Sequence, residues 1–284
     1  MTVLRISAFS DGDRGGNPAG VMIADSLPSP DRMQAIAAEI GFSETAFAMP
    51  APEGWRVRYF SPETEVPFCG HATIALGAAL ADREGDGVFT LELNNDTITV
   101  EGVRAGNEIS AALQSPRTKS TPAATALRDA ALALFGYTLE DVDPRLPPAV
   151  AEAGATHLVI GLKSRTTLER MSYDLDKGRK LMREAGLVTI SLVYAETESL
   201  FHVRNPFASG GVLEDPATGA AAAALGGYLR DVNWPVIADT GGEIAIVQGE
   251  DMGMRSLLTV AIPAEPGASI RVSGTARVMR EDEG

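Results

Sequence analysis

The sequence predicts an α+β fold built from two related halves, each with strands arranged around a central helix. Three observations support this prediction: a plan that occurs twice, two helices that are apolar on nearly every face, and a hairpin-like stretch after each of these helices. A surface helix would show a single apolar stripe. Helices of this kind are therefore expected to be enclosed by strands, which predicts two pseudo-symmetric domains, each a strand barrel around its helix.

The repeated plan occupies residues 33–80 and residues 178–229. In each copy an amphipathic helical pattern ends at a glycine, Gly41 or Gly186. A short strand, a turn and a second strand carrying an arginine follow in both copies. We interpret the repeat as an internal duplication.

The two central helices are predicted from ATIALGAALA and GAAAAALGGYL. Alanine and glycine let strands approach such a helix closely on all sides, which leucine at the same positions would prevent. Residues 87–103 and 242–262 then read as hairpins, with turns at Asn94, Asn95 and Asp96 in the first and Gly249, Glu250 and Asp251 in the second.

A polar, proline-containing stretch divides the two halves. Residues 116–125 show no apolar period and are predicted to be a linker. The prediction places an N-terminal lobe in residues 1–115 and a C-terminal lobe in residues 126–267.

The composition limits the classes of partner. The formal net charge of −14, with Lys and Arg dispersed, makes nucleic acid a poor partner. No apolar run approaches the roughly 20 residues of a membrane span, and no secretory signal pattern begins the sequence, so we expect a cytoplasmic protein. The single cysteine excludes an internal disulfide, and Cys69 and His71 alone do not make a metal site, so no metal is expected.

Two glycine-containing loops, residues 65–72 and 213–220, lead into the central helices. A helix N-terminus offers unpaired N–H groups and the positive end of the helix dipole, which together favour a bound carboxylate. Gly70 and Gly219 would let a ligand approach the backbone. The alternative is that these glycines only form tight turns and that Asp215 only caps its helix.

Glu44 and His71 are candidate proton-transfer residues. Glu44 places a charge directly before an apolar strand, and the equivalent position of the second copy is Thr189. Burial against apolar walls disfavours an ionised carboxyl group, which suits proton transfer near neutral pH. His71 lies at a helix start, where the dipole favours a neutral ring. The alternatives are a glutamate that points to water and a structural histidine.

Cys69 could act as a thiol acid/base at the same helix start, or it could be an inert filler. A racemase with two thiol bases would need a second cysteine, which the sequence does not contain. His157 and His202 lie in strand-like segments and are interpreted as structural or peripheral.

Five runs of residues resemble the PhzF-like family, named for the phenazine-biosynthesis isomerase, within the diaminopimelate epimerase-like fold. They are FSDGDRGGNPAGV (9–21), FSETAF (42–47), RYFSPETEVPFCGHATIALG (58–77), GVLEDPATGAAAAALGGYL (211–229) and QGEDMGMRS (248–256). The resemblance implies a two-domain pseudo-symmetric fold whose last strand, in residues 268–284, returns to the N-terminal lobe. It also implies a homodimer that works without metal or organic cofactor.

The resemblance places the family's acid/base glutamate on Glu44, its loop histidine on His71 and its loop aspartate on Asp215. The residues expected to bind substrate are Cys69, Gly70, Ala72, Thr218, Gly219 and Ala220. The phenazine enzyme has a serine where this chain has Ala220, so the substrate is expected to differ. The run Gly253–Ser256 also departs from the family's glycine-arginine-proline motif.

The function that we predict is a cofactor-independent isomerase that moves a proton between carbons of a small carboxylate-bearing substrate. Two alternatives stay open at this stage. One is an epimerase or racemase that depends on Cys69, and the other is a metabolite-binding protein that has kept the fold and lost the chemistry, which the alanine at position 220 would permit.

Overall fold

A computed structural model of the chain describes residues 2–106, 108–237 and 240–280. The chain forms two compact units, one made of Met1–Gln114 with Ser273–Gly284 and the other of Ser115–Val272. Strands and helices are mixed in both units, which confirms the predicted α+β class. None of the described helices is both long and apolar enough to cross a membrane.

The first unit contains a closed barrel. Its elements are β1 (Leu4–Ala8), β2 (Asn17–Ile23), α1 (Pro30–Ile40), β3 (Thr45–Ala51), β4 (Gly54–Phe60), β5 (Glu65–Val66), α2 (Gly70–Glu84), β6 (Gly87–Glu92), β7 (Thr97–Ala105) and β8 (Glu108–Gln114). A strand from the end of the chain, Arg271–Val278, lies next to β8 and pairs antiparallel with β1. It closes a ring of eight strands, with the two-residue β5 paired to β4 on the side.

Local signals explain where α1 begins and ends. The Ser29 hydroxyl accepts from the Arg32 N–H, and Pro30 occupies the first turn, where no N–H is needed. Gly41 ends the helix with a φ of 76°, a left-handed conformation that glycine adopts at little cost. The chain then turns directly into β3.

Helix α2 is the central element of the first barrel. Every residue from His71 to Ala81 is buried, as the nearly uniform apolar character predicts. The helix packs against β1, β2, β7 and β8. A Cβ atom at Gly102 of β7 would lie only 2.4 Å from the carbonyl oxygen of Gly77 in α2. The small residues therefore serve a close approach of helix and strand.

The described residues of the second unit form seven strands. Its elements are β9 (Lys119–Pro122), α3 (Thr125–Phe135), β10 (Ala149–Glu152), β11 (Thr156–Gly161), α4 (Arg165–Glu169), α5 (Leu175–Glu184), β12 (Thr189–Ala195), β13 (Leu200–Arg204), α6 (Gly219–Asp231), β14 (Gly242–Gln248) and β15 (Ser256–Ile262). The strands are ordered β15-β14-β13-β12-β11-β10-β9. Helix α6 packs against both β15 and β9, so the two ends of this sheet enclose it.

The stretch 116–125 is more ordered than a linker. Residues Lys119–Pro122 form β9, which pairs antiparallel with β10, and the stretch belongs to the second unit. The strand is at the edge of its sheet and most of its side chains are exposed, so it has no apolar alternation for a sequence pattern to reveal. The two expected hairpins are present as β6–β7 and β14–β15.

The duplication extends to two ion pairs that are at least partly buried. Arg58 of β4 donates to Glu65 through Nε and Nη2 at 2.7 and 2.6 Å. Arg204 of β13 donates in the same way to Glu214, with Nε 3.0 Å from Oε1. In both units the acid lies on the loop that leads into the central helix. Each arginine–glutamate pair thus anchors that loop to the neighbouring strand.

Candidate active site

Glu44 lies in the short connection between α1 and β3. Its backbone carbonyl accepts the Gly20 N–H at 3.1 Å, which fixes the connection to β2. The Glu44 side chain is 17% exposed. The carboxyl group is therefore held near the surface of the barrel, largely shielded from water.

Cys69 and His71 are held by the first turn of α2. Cys69 is the residue before the helix, and its carbonyl oxygen accepts from the Thr73 N–H at 3.0 Å and from the Thr73 hydroxyl at 2.7 Å. The Tyr59 hydroxyl lies 2.7 Å from the same Thr73 hydroxyl. Burial raises the pKa of the Tyr59 phenol, so Tyr59 stays protonated and can donate.

The structure brings Glu44, Cys69 and His71 together. His71 Nε2 lies 3.5 Å from Glu44 Oε2, and His71 Nδ1 lies 3.4 Å from Cys69 Sγ. The Ser43 hydroxyl is 3.3 Å from His71 Nε2. The His71 side chain is only 7% exposed. We call Glu44, Cys69 and His71 the acid/base cluster. In it a carboxylate and a thiol, which can both exchange protons, lie beside the imidazole ring of His71.

Backbone N–H groups lie beside the acid/base cluster. Those of Gly70, His71 and Ala72 belong to the first turn of α2, where the helix itself provides no acceptor. They carry the positive end of the helix dipole. An anionic group of a ligand can therefore bind at this point of the first unit.

The second predicted group belongs to the second unit, at the start of α6. The Thr218 hydroxyl donates to Asp215 Oδ2. Gln248 Nε2 donates to the Asp215 carbonyl at 2.7 Å and lies 3.3 Å from the Thr218 hydroxyl. Gly219 is buried and Ala220 is half-buried. The carboxylate of Asp215 thus orients Thr218, which is the residue before the helix.

Two polar residues of these groups were not predicted from the sequence. Ser43 precedes Glu44 in the FSETAF run, and its contact with His71 depends on the fold. Gln248 begins the QGEDMGMRS run at the end of β14, and it is 1% exposed. A glutamine at the end of an apolar strand is the sequence signal that could have identified it, since an amide buried there needs partners.

The second copy has no counterpart to the Glu44 carboxylate. Thr189 is fully buried, and its hydroxyl lies 2.7 Å from His157 Nδ1. The pair joins β11 to β12 inside the second unit. The difference that the sequence predicts between the two copies, a carboxyl group at Glu44 and none at Thr189, is therefore present in the structure as well.

His157 gives the stability of the second unit a defined pH dependence. Burial lowers the pKa of His157 to about 4, against about 6.5 for a free histidine. Between pH 6.5 and 4 the unfolded chain binds a proton that the native chain does not, so the free energy of unfolding falls as the pH falls. The loss expected over this window is about 3 kcal/mol.

Urea unfolding of the wild type and of His157→Gln at pH 7.5 and pH 4 measures this contribution. The wild type is expected to lose more stability than the variant on acidification, because the other titrating groups are common to both. Equal losses of unfolding free energy in the two proteins would contradict the assignment of this pH dependence to His157.

His202 lies elsewhere in the second unit, between two carboxylates. Its Nδ1 is 2.6 Å from Glu250 and its Nε2 is 2.6 Å from Glu196. Arg165 also contacts Glu250, at 2.9 Å. The contact with Glu250 ties β13 to the turn between β14 and β15.

A family profile covers nearly the whole chain. The profile of the phenazine biosynthesis-like proteins (PhzC-PhzF) matches residues 6–282. Among curated proteins, the uncharacterized isomerase YddE of Escherichia coli (strain K12) is 30% identical over 290 residues, which cover 98% of this chain and 96% of that protein. The uncharacterized isomerase YfhB of Bacillus subtilis is 27% identical, over 96% of this chain and 94% of its own length.

Solved structures agree with the fold. A phenazine biosynthesis protein of the PhzF family from Bacillus anthracis superposes with a TM-score of 0.86 and 25% identity, over 98% of this chain and 96% of its own. A hydroxyproline epimerase from Agrobacterium vitis gives a TM-score of 0.60 at 10% identity, over 98% and 88% of the two chains. The second likeness concerns the fold alone.

Proposed function

Because this chain belongs to the phenazine biosynthesis-like family and is an isomerase, we propose that it moves a proton between two carbons of a small carboxylate-bearing substrate, with Glu44 as the acid/base. The observation that carries the proposal is the placement of the Glu44 carboxylate 3.5 Å from the His71 imidazole. No step of this proposal requires a cofactor. Glu44 takes the proton from one carbon and returns it to another.

The surroundings of Glu44 support this role. A side chain that is 17% exposed can reach a bound ligand while most of its surface is shielded from water. His71 can donate to the substrate or accept from it at Nε2, and the Ser43 hydroxyl lies 3.3 Å from the same nitrogen. His71 is therefore proposed to polarise or orient the substrate while Glu44 moves the proton.

The start of α2 is proposed to bind negative charge. Removing a proton next to a carboxylate or an unsaturated system leaves an anion, and the N–H groups of Gly70, His71 and Ala72 can donate to it. A well-placed donor of this kind contributes about 3–4 kcal/mol of transition-state stabilisation in comparable sites. At the start of α6, Asp215 stays a predicted catalytic residue that orients or polarises the substrate, and Thr218, Gly219 and Ala220 stay predictions for substrate binding.

Solvent exchange tests the proposal. The purified chain is incubated in D2O with a panel of small unsaturated carboxylates, after each has been ranked by the thermal stabilisation that it causes. A stabilising ligand is expected to incorporate deuterium at carbon, detected by loss of its proton resonance and by mass. Exchange or isomerisation that proceeds as fast in Glu44→Gln as in the wild type would contradict the proposed proton transfer.

A second candidate is an epimerase that uses Cys69 as one of its bases. The observation that favours it is the 3.4 Å contact between Cys69 Sγ and His71 Nδ1, since an adjacent imidazole can activate a thiol. Cys69→Ala separates the two candidates. Full exchange activity in this variant would exclude the thiol, and loss of exchange with Glu44 intact would favour it.

A further inference from the structure

The acid/base cluster also has the composition of a metal site. One donor atom each from Glu44, Cys69 and His71 lies within 4.8 Å of the other two. Thiolate, imidazole and carboxylate are the three protein ligand types that bind Zn²⁺. The sequence offers only Cys69 and His71 in proximity, and the fold adds Glu44 from the connection before β3.

One tetrahedral ion can be reached by all three donors after a small rearrangement of their side chains. Ligands bonded to zinc at about 2.0–2.3 Å lie about 3.4–3.5 Å apart in a tetrahedron. His71 Nε2 is 3.5 Å from Glu44 Oε2 and 3.9 Å from Cys69 Sγ. Cys69 Sγ is nearer to His71 Nδ1, at 3.4 Å, than to Nε2. A turn of the imidazole ring and side-chain shifts of about 1 Å therefore bring all three donors onto one ion.

The donors are held in place by the fold and largely shielded from water. Cys69 and His71 are fixed by the first turn of α2, and Glu44 is fixed by the backbone bond to Gly20. Cys69 is 9% exposed as a residue, and the side chains of His71 and Glu44 are 7% and 17% exposed. A thiolate and a carboxylate together carry two negative charges, which a divalent ion neutralises.

We propose that Zn²⁺ binds to Glu44, Cys69 and His71 and inhibits the enzyme. Three protein ligands leave a fourth position for water or a small carboxylate. A bound ion occupies the lone pairs of Glu44 that proton transfer requires. The inhibition rests on the proposed function, whereas the binding does not.

Titration with Co²⁺, a spectroscopic substitute for Zn²⁺, tests the binding without any substrate. The chain contains a single cysteine, so a thiolate-to-cobalt charge-transfer band can come only from Cys69. We expect this band to saturate at one equivalent, to disappear when Zn²⁺ is added, and to be absent in Cys69→Ala. Lack of the band in the wild type would overturn the proposal.

A further variant tests the carboxylate ligand, and a control accompanies it. Glu44→Gln is expected to bind Co²⁺ at least about tenfold more weakly, as is typical when a metal site is disturbed. His202→Gln is the control, because His202 also contacts two carboxylates but is not one of the three proposed ligands. Equal weakening in both variants, or in neither, would overturn the assignment; thermal unfolding checks that each variant is folded.

Inhibition is measured separately, as the deuterium-exchange rate with and without Zn²⁺. Saturating Zn²⁺ is expected to slow exchange at least about tenfold. Metal binding without inhibition would leave the site standing and would contradict the role proposed for Glu44. The two proposals can thus fail independently.

Discussion

Glu44→Gln is expected to slow solvent-deuterium exchange by about 10²–10⁴-fold, the usual contribution of a positioned general acid or base. The amide keeps the size of the side chain and its contact with His71, but it cannot accept the proton. Binding is therefore expected to change little, so the loss falls on kcat rather than on KM. The measurement uses whichever carboxylate the wild type exchanges, with binding followed by thermal stabilisation.

Glu39→Gln is the matched control for this prediction. Glu39 lies on α1 in the same unit, its side chain is 65% exposed, and it contacts Arg32 at 3.1 Å. The change in net charge is the same as in Glu44→Gln, but the site is on the surface. The control is expected to exchange like the wild type, and equal rates in all three proteins would refute the role of Glu44.

Arg204→Met is expected to lower the free energy of unfolding by about 3–5 kcal/mol, the cost of leaving a buried charge without its partner. The side chains of Arg204 and Glu214 are 11% and 5% exposed. Arg204 also donates to the carbonyl of Glu169 at 2.9 Å. Without the guanidinium, the Glu214 carboxylate stays buried with its main donor removed. Urea unfolding at neutral pH measures the loss.

The corresponding pair of the first unit provides the comparison. The side chains of Arg58 and Glu65 are 20% and 26% exposed, and Asn94 Nδ2 also donates to Glu65 at 2.6 Å. Arg58→Met is therefore expected to cost less than Arg204→Met, since Glu65 keeps a donor and some contact with water. Replacing both Arg204 and Glu214 by Met should recover most of the loss. An Arg204→Met variant as stable as the wild type would contradict the argument.

Much of the fold could be predicted from the sequence because buried segments need apolar residues, and runs of such residues can be recognised. The eleven buried residues of α2 from His71 to Ala81 require small apolar side chains, and that run is visible in the sequence. The arginine that occurs in both copies, on β4 and on β13, is also visible in the sequence. The strand Lys119–Pro122 could not be predicted, because an exposed edge strand has no apolar alternation.

The candidate site could be predicted in part. Glu44 is conspicuous because it is charged directly before a buried strand, and His71 because it follows a glycine at a helix start. The proximity of these two residues depends on the path of the chain through α1 and β4, which no local pattern encodes. The contact of Ser43 with His71 and the bonds of Gln248 depend on the same tertiary arrangement.

The strand that closes the first barrel, Arg271–Val278, is synthesised only after the strands of the second unit. A ribosome that has released residues 1–114 has not yet made the strand that pairs with β1. During translation the edges of β1 and β8 must stay apart from other strands until Arg271–Val278 has been made. The first barrel is therefore completed after the second unit, and truncation of the chain before Arg271 would damage the unit that contains Glu44 and His71.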